Sequence, residues 1–234
     1  MARVKINPIL LISPLDPTCL SGIVRDAIVL NQLGKTSLAI CTAVANQNDI
    51  EVDTLTALSF EEIKRQLDAI GRRYWLDWAI ISGIHDINLV AAVIRYLEKN
   101  RPSIQILWNP ALQHTDRSYG EQLNQQEQTL FEALCKKVHT VFLDQRDLSL
   151  FSLQGTSNEL LCELSQVCTI YLAGLEPSTD SLFIKGNHLQ QSHTLSPEHH
   201  VTFLSTLSTF LYDGNEMTDA CRLSSLFLSD NSIN

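Results

Sequence analysis

The chain has 234 residues, 44% hydrophobic and 18% charged, with a formal net charge of −9 at pH 7. That length supports one sizeable core, and that balance excludes a disordered or membrane-embedded chain. The acidic balance, with no basic cluster interleaved with aromatics, excludes nucleic acid as a partner. Short apolar runs then alternate with helical patterns, the signature of a parallel sheet with crossover helices. Ile9–Ser13 reads as a first strand, followed by a loop with Pro14, Asp16 and Pro17. A helix starts near Ser21 with Ile23, Ala27, Leu30 and Leu33 on one face, and Gly34 is placed to cap its end. Thr36–Ala43 is a second strand. Ser59 with Glu62 forms a capping box that starts a helix reaching about Arg73.

Further along, Asp77–Ser82 reads as a buried strand, and Asp86 as the N-cap of a helix ending near Asn100. Ile104–Trp108 and His139–Leu143 are strands flanking a Gln-rich helix over 119–137. A helical pair is expected over 145–166, strands near 168–172 and 181–185, strands and loops over 190–216, and a last helix from Thr218. Trp75, Trp78 and Trp108 are expected in or beside the core. No repeat, linker or second domain is legible, so residues 1–234 read as one domain.

Two features bear on location. The longest apolar run, Leu89 to Ile94, is far short of the roughly 18 residues a membrane span needs. Arg3 and Lys5 precede only Ile9-Leu10-Leu11-Ile12, and no A-x-A site comes after it, so a cytoplasmic protein with no membrane partner is expected. The six cysteines include no C-x-x-C pair and read as reduced thiols. His188, His193, His199 and His200 fit no common zinc spacing and read as a polar hairpin.

The first strand-to-helix turn reads Ile-Ser-Pro-Leu-Asp-Pro-Thr-Cys-Leu-Ser-Gly-Ile-Val-Arg-Asp, residues 12–26. It resembles A-G-S-D-P-S-G-G-A-G-I-Q-A-D of the hydroxymethylpyrimidine and phosphomethylpyrimidine kinases of thiamin synthesis, with Asp16, Gly22 and Asp26 in place. Thr42-Ala43-Val44-Ala45-Asn46-Gln47-Asn48 resembles T-A-L-T-A-Q-N, and Leu182 to Leu189 resembles V-L-V-K-G-G-H-L. The resemblance runs in order along nearly the whole chain. It implies a ribokinase-like three-layer α/β sandwich, a mostly parallel central sheet with helices on both faces. It also implies transfer of a phosphoryl group from ATP, with Mg²⁺, to a small pyrimidine or its phosphate, and suggests a homodimer.

The same matches imply the site residues. Ligands of open α/β sheets bind beyond the carboxyl ends of the strands, where Asp16, Gly22, Asp26, Gln47 and Gly83 would form the substrate side. Cys19 and Leu20 replace two glycines of the family loop, and their side chains are expected to narrow the cavity over Asp26. The family's G-T-G-C helix start aligns with Thr218-Asp219-Ala220-Cys221, which implies phosphate binding at Thr218, Asp219 and Ala220 and a base at Cys221. Both glycines are gone, and Asp219 would repel a phosphate. Lys185 matches the lysine of V-K-G-G-H as a phosphate contact. Asp144 and Asp147 stand where N-x-x-E would support the metal, while Asn109 replaces the aspartate of D-P-V. The sequence stops 13 residues after Cys221, short of the family's further helices. These departures leave a second reading, a catalytically weak or inactive relative that binds a small molecule or a protein.

Overall fold

The computed structural model describes residues 7–48, 51–84, 86–110, 122–151, 157–173, 180–190 and 197–230. Strand β1 (Ile9–Leu15) alternates sides: Leu10 and Ile12 enter one core, Ile9 and Leu11 the other. A strand apolar on both faces must be covered on both, and the chain supplies both layers. Around β1 lie β2 (Ser37–Gln47), β3 (Val52–Ala57), β4 (Trp78–Ser82), β5 (Gln105–Asn109), β6 (Thr140–Asp144), β7 (Thr169–Ala173), β8 (Ser181–Ile184) and β9 (Asn187–Gln190). They form a nine-stranded sheet in the order β3-β2-β1-β4-β5-β6-β7-β8-β9. From β2 across to β7 the neighbours are parallel, whereas β3 and β8 run antiparallel to theirs.

One face is covered by α2 (Phe60–Gly71), α3 (Ile87–Asn100), α4 (Gln125–Cys135) and α5 (Ser157–Leu164), around Ile63, Val93, Phe131 and Leu161. The other is covered by α1 (Gly22–Gln32), α6 (Pro197–Tyr212) and α7 (Met217–Asp230), around Leu30, Phe203 and Leu228. This is the expected three-layer arrangement. Local signals act as read: the Ser59–Glu62 capping box is formed in both directions, and Gly34 ends α1 at φ 72°. No helix among the described residues is long and apolar enough to cross a membrane.

Several expectations shift. The helix expected over 119–137 begins at Gln125, where Asn124 and Glu127 make a second capping box; residues 111–121 lie outside the described ones. The pair over 145–166 is a short 3-10 turn, Asp147–Leu150, then α5. Trp75 is 51% exposed, with its indole N–H on Asp77, whereas Trp108 is buried. The larger difference is α6, which occupies residues read as strands and loops. Its Ser and Thr residues are weak helix formers, yet Thr202, Ser205, Thr206, Ser208 and Thr209 are buried inside it. Thr206, Ser208 and Thr209 donate to the carbonyls of Phe203 and Ser205 within the same helix, so their hydroxyls need no water.

Chain direction sets which groups share an end of the sheet. The segment between α6 and α7 lies at the amino end of the parallel strands, because Asp213 pairs with Lys35, just ahead of β2, at 2.5 Å. Helix α6 therefore descends from the carboxyl end and α7 begins at the amino end.

Candidate functional site

The carboxyl ends of β1, β2 and β4 converge on one loop. After β1 the chain turns through Pro14 to Asp16, whose carboxylate organises residues 16–21. It accepts from the Thr18 N–H at 2.8 Å, the Thr18 hydroxyl at 2.6 Å, the Ser21 N–H at 2.9 Å and the Ser21 hydroxyl at 2.7 Å. Burial would raise this carboxyl, but the donors from Thr18, Ser21 and Gln47 outweigh it and hold it below its ordinary value. Gln47, at the end of β2, is close enough to Asp16 to act on it. Two separate segments of the resemblance are thus brought together, Pro17 and Gln47 lining one pocket.

Two glycines permit the turn. Gly22 has φ 66°, and a Cβ there would stand 2.3 Å from the Pro14 carbonyl oxygen. Gly83, after β4, has φ 65°, and its Cβ would meet the Pro14 ring at 2.9 Å. Beneath them the Ser82 hydroxyl donates to that of Ser13 at 3.0 Å. Beside the loop an open pocket of about 470 Å³ is lined by Pro17, Val44, Asn46, Gln47 and Asp53 among others.

The side chains at the family's glycine positions do not close this pocket. Leu20 is 59% exposed, and neither it nor Cys19 lines the pocket. Cys19 does keep the left-handed backbone of a glycine, at φ 60°. That conformation is strained for a residue with a Cβ. Cys19→Gly is therefore expected to raise stability by about 0.5 kcal/mol, the relieved strain exceeding glycine's extra unfolded-state entropy. The urea midpoint measures it, and an unchanged or lower midpoint contradicts it.

Asp26 lies elsewhere. Its carboxylate is 2% exposed and faces α6, accepting from the Ser205 hydroxyl at 2.6 Å. Burial pushes its carboxyl up to about 7. The pocket beside Gln47 does not include it.

Asp144 and Asp147 do stand at the carboxyl end of β6, where the Asp147 carboxylate accepts from the Asp144 N–H at 2.9 Å. The Asp144 carboxylate is taken up by Arg146, through its backbone N–H at 2.6 Å and its guanidinium at 2.9 and 2.5 Å. A carboxylate neutralised in this way is a poor metal ligand. Among the described residues no group of three or more His, Cys, Asp or Glu side chains could hold a metal ion.

The remaining candidates lie away from this end. Lys185 and Gly186, at φ 50° and 77°, form the two-residue turn between β8 and β9. Since β8 runs antiparallel, that turn falls at the amino end of the parallel strands, where the Gly186 N–H donates to Ser165 at 2.9 Å. Thr218, Asp219 and Ala220 open α7, also at the amino end. Cys221 is fully buried among apolar residues, and burial, then Asp180, pushes its thiol well above its ordinary range. It belongs to an interior group that carries no sequence signal, in which the Tyr171 hydroxyl donates to Asp180 at 2.6 Å and the Ser225 hydroxyl donates to the Cys221 carbonyl at 3.1 Å. The late helix that does begin beside the loops is α6, where His200 packs edge-on against Phe142 at 5.7 Å.

No family model matches the sequence, and no curated protein matches it. Solved structures do. Phosphomethylpyrimidine kinase from Clostridium difficile 630 superposes with a TM-score of 0.79 at 17% identity, covering 96% of this chain and 100% of that one. The ADP complex of Bacillus subtilis pyridoxal kinase gives 0.77 at 13%, covering 96% and 91%. Staphylococcus aureus pyridoxal kinase in complex with pyridoxal gives 0.76 at 15%, covering 97% and 87%. The chain therefore shares the fold of these phosphomethylpyrimidine and pyridoxal kinases.

Proposed function

We propose that this chain is a small-molecule kinase of the vitamin type, which transfers a phosphoryl group from ATP to a hydroxymethyl group on a pyrimidine or pyridine ring. The observation that carries this is the open pocket at the carboxyl ends of β1 and β2, lined by Pro17 and Gln47 beside the loop that Asp16 holds. Neighbours of the same fold include complexes with ADP, an ATP analogue and pyridoxal, which supports both a nucleotide and a ring substrate.

Within this reading the hydroxyl oxygen of the substrate attacks the terminal phosphorus as its proton passes to solvent, the bond to the bridging oxygen breaks, and ADP leaves. The ring lies against Val44 and Pro17, with Gln47 as its polar contact, while Asp16 holds the loop rather than the ligand. The start of α6 faces the phosphate, in place of Thr218, Asp219, Ala220 and Lys185, since a helix amino terminus suits an anion. Asp144 and Asp147 do not fit as a direct Mg²⁺ cradle, so no step is drawn through the metal.

Cys221, the base implied by the resemblance, is buried in α7 and does not line the pocket, and this favours slow turnover or a binding role as the second reading. A melting experiment with Mg-ATP, paired with an ADP-release assay on hydroxymethylpyrimidine, its phosphate and pyridoxal, separates the two. Under the kinase reading, Mg-ATP raises the melting temperature and one ring substrate gives slow turnover. Ring binding without turnover supports the binding module, and no response to nucleotide or ring sinks the kinase.

The edge strand β3 leaves backbone groups open to another chain, with Leu55 36% exposed on it and Val44 38% exposed on its neighbour. This supports a homodimer, for which light scattering should give twice the chain mass of 26.3 kDa.

A further inference from the structure

A second concavity lies at the opposite end of the parallel strands. The last turns of α2 and α3 border a cavity of about 270 Å³. Arg101, on its rim, immediately precedes the turn into β5 and accepts the Ile104 N–H on its carbonyl at 3.0 Å, which fixes this as the amino end of the sheet. The floor is apolar, made by Leu67, Leu76 and Leu97, all at most 4% exposed.

The rim is cationic in a chain whose net charge is −9. The carboxylate on it, Asp68, already accepts from the Lys64 ammonium at 2.8 Å and from the Tyr96 hydroxyl. Arg101 donates to the Gly71 and Asn100 carbonyls, at the ends of α2 and α3, which offsets part of the carbonyl charge that would repel an anion there. Arg72 is exposed and close enough to Asp68 and Tyr96 to act on both electrostatically. Its guanidinium has no hydrogen bond or ion pair among the described residues.

We infer that this cavity binds a small phosphate monoester, its phosphate on Arg72 and Arg101 and its apolar body on the leucine floor. A planar guanidinium fork suits two oxygens of one phosphate. The cavity exceeds what an inorganic phosphate needs, and its leucines give a body on the ester something to displace water from. The site is independent of the proposed kinase site, which lies at the other end of the same strands.

The test titrates the full chain with phenyl phosphate, inorganic phosphate and benzoate, monitoring heat and the amide shifts of Tyr96 and Leu97. Phenyl phosphate should bind most tightly and move both amides. Arg72→Gln should weaken it about tenfold, with the ligand-free urea midpoint little changed because the exposed Arg72 guanidinium makes no hydrogen bond or ion pair among the described residues. Arg72→Lys, which keeps the charge and loses the fork, should fall between. No binding, or equal affinity in the wild type and Arg72→Gln, overturns the inference. Benzoate binding as tightly as phenyl phosphate overturns the choice of phosphate.

Discussion

Gly22→Ala is expected to destabilise the chain by about 3–5 kcal/mol, a large share of the 5–15 kcal/mol a domain of this size has. Two effects add. A residue with a Cβ resists φ 66°, and the added carbon would stand 2.3 Å from the Pro14 carbonyl oxygen. That contact is with backbone, which no rotamer change relieves. Relaxation must move Pro14 away from Gly22, and this pulls Asp16 from its donors on Thr18 and Ser21. Gly34→Ala is the control. Gly34 has a similar φ of 72° with nothing within 4 Å of its Cβ position, so it should lose only about 1 kcal/mol. Urea denaturation of both variants reads the difference. Equal losses would mean that the close approach to Pro14 is not a constraint.

Asp26→Asn is expected to reverse its effect on stability with pH. In the folded chain the Asp26 carboxyl is pushed up to about 7, from an ordinary value of 3.8. Between those values the unfolded chain has lost its proton while the folded chain keeps it. The folded state then binds more protons, so wild-type stability from this group is fully present below about pH 4, falls as pH rises, and levels off above about 7. The whole change is up to about 4 kcal/mol. Asparagine keeps an oxygen to accept from Ser205 and carries no charge at any pH, so it lacks this slope. The variant should be the more stable protein at pH 8 and lose most of that advantage by pH 5. A stability difference that stays constant between those two values would show that Asp26 is not buried uncharged against α6. If ring binding also fails in the variant at pH 8, Asp26 has the substrate role implied by the resemblance as well as its place in the core.

What the sequence determined by itself was local. Apolar runs marked the parallel strands from Ile9 to Ala173, because a strand covered on both faces must be apolar on both. Capping residues marked the starts of α2 and α3, and Gly34 the end of α1, because their side chains or φ values act within a few residues. Asp16, Gly22, Gln47 and Gly83 were legible only through the resemblance, whose matched segments fall at strand ends and at the start of α1. Beyond β7 that alternation stops, and only the tertiary structure decided the outcome. The antiparallel direction of β8 carries Lys185 to the far end of the sheet. Burial overrides the weak helix propensity of Pro197–Tyr212, and the resulting extra helix turns α7 over, so Thr218 opens it at the amino end. Asp26 met Ser205, 179 positions away, through the packing of α1 on α6. A hydrogen bond across that separation leaves no pattern in either segment, since each reads locally as an ordinary polar residue on a helix.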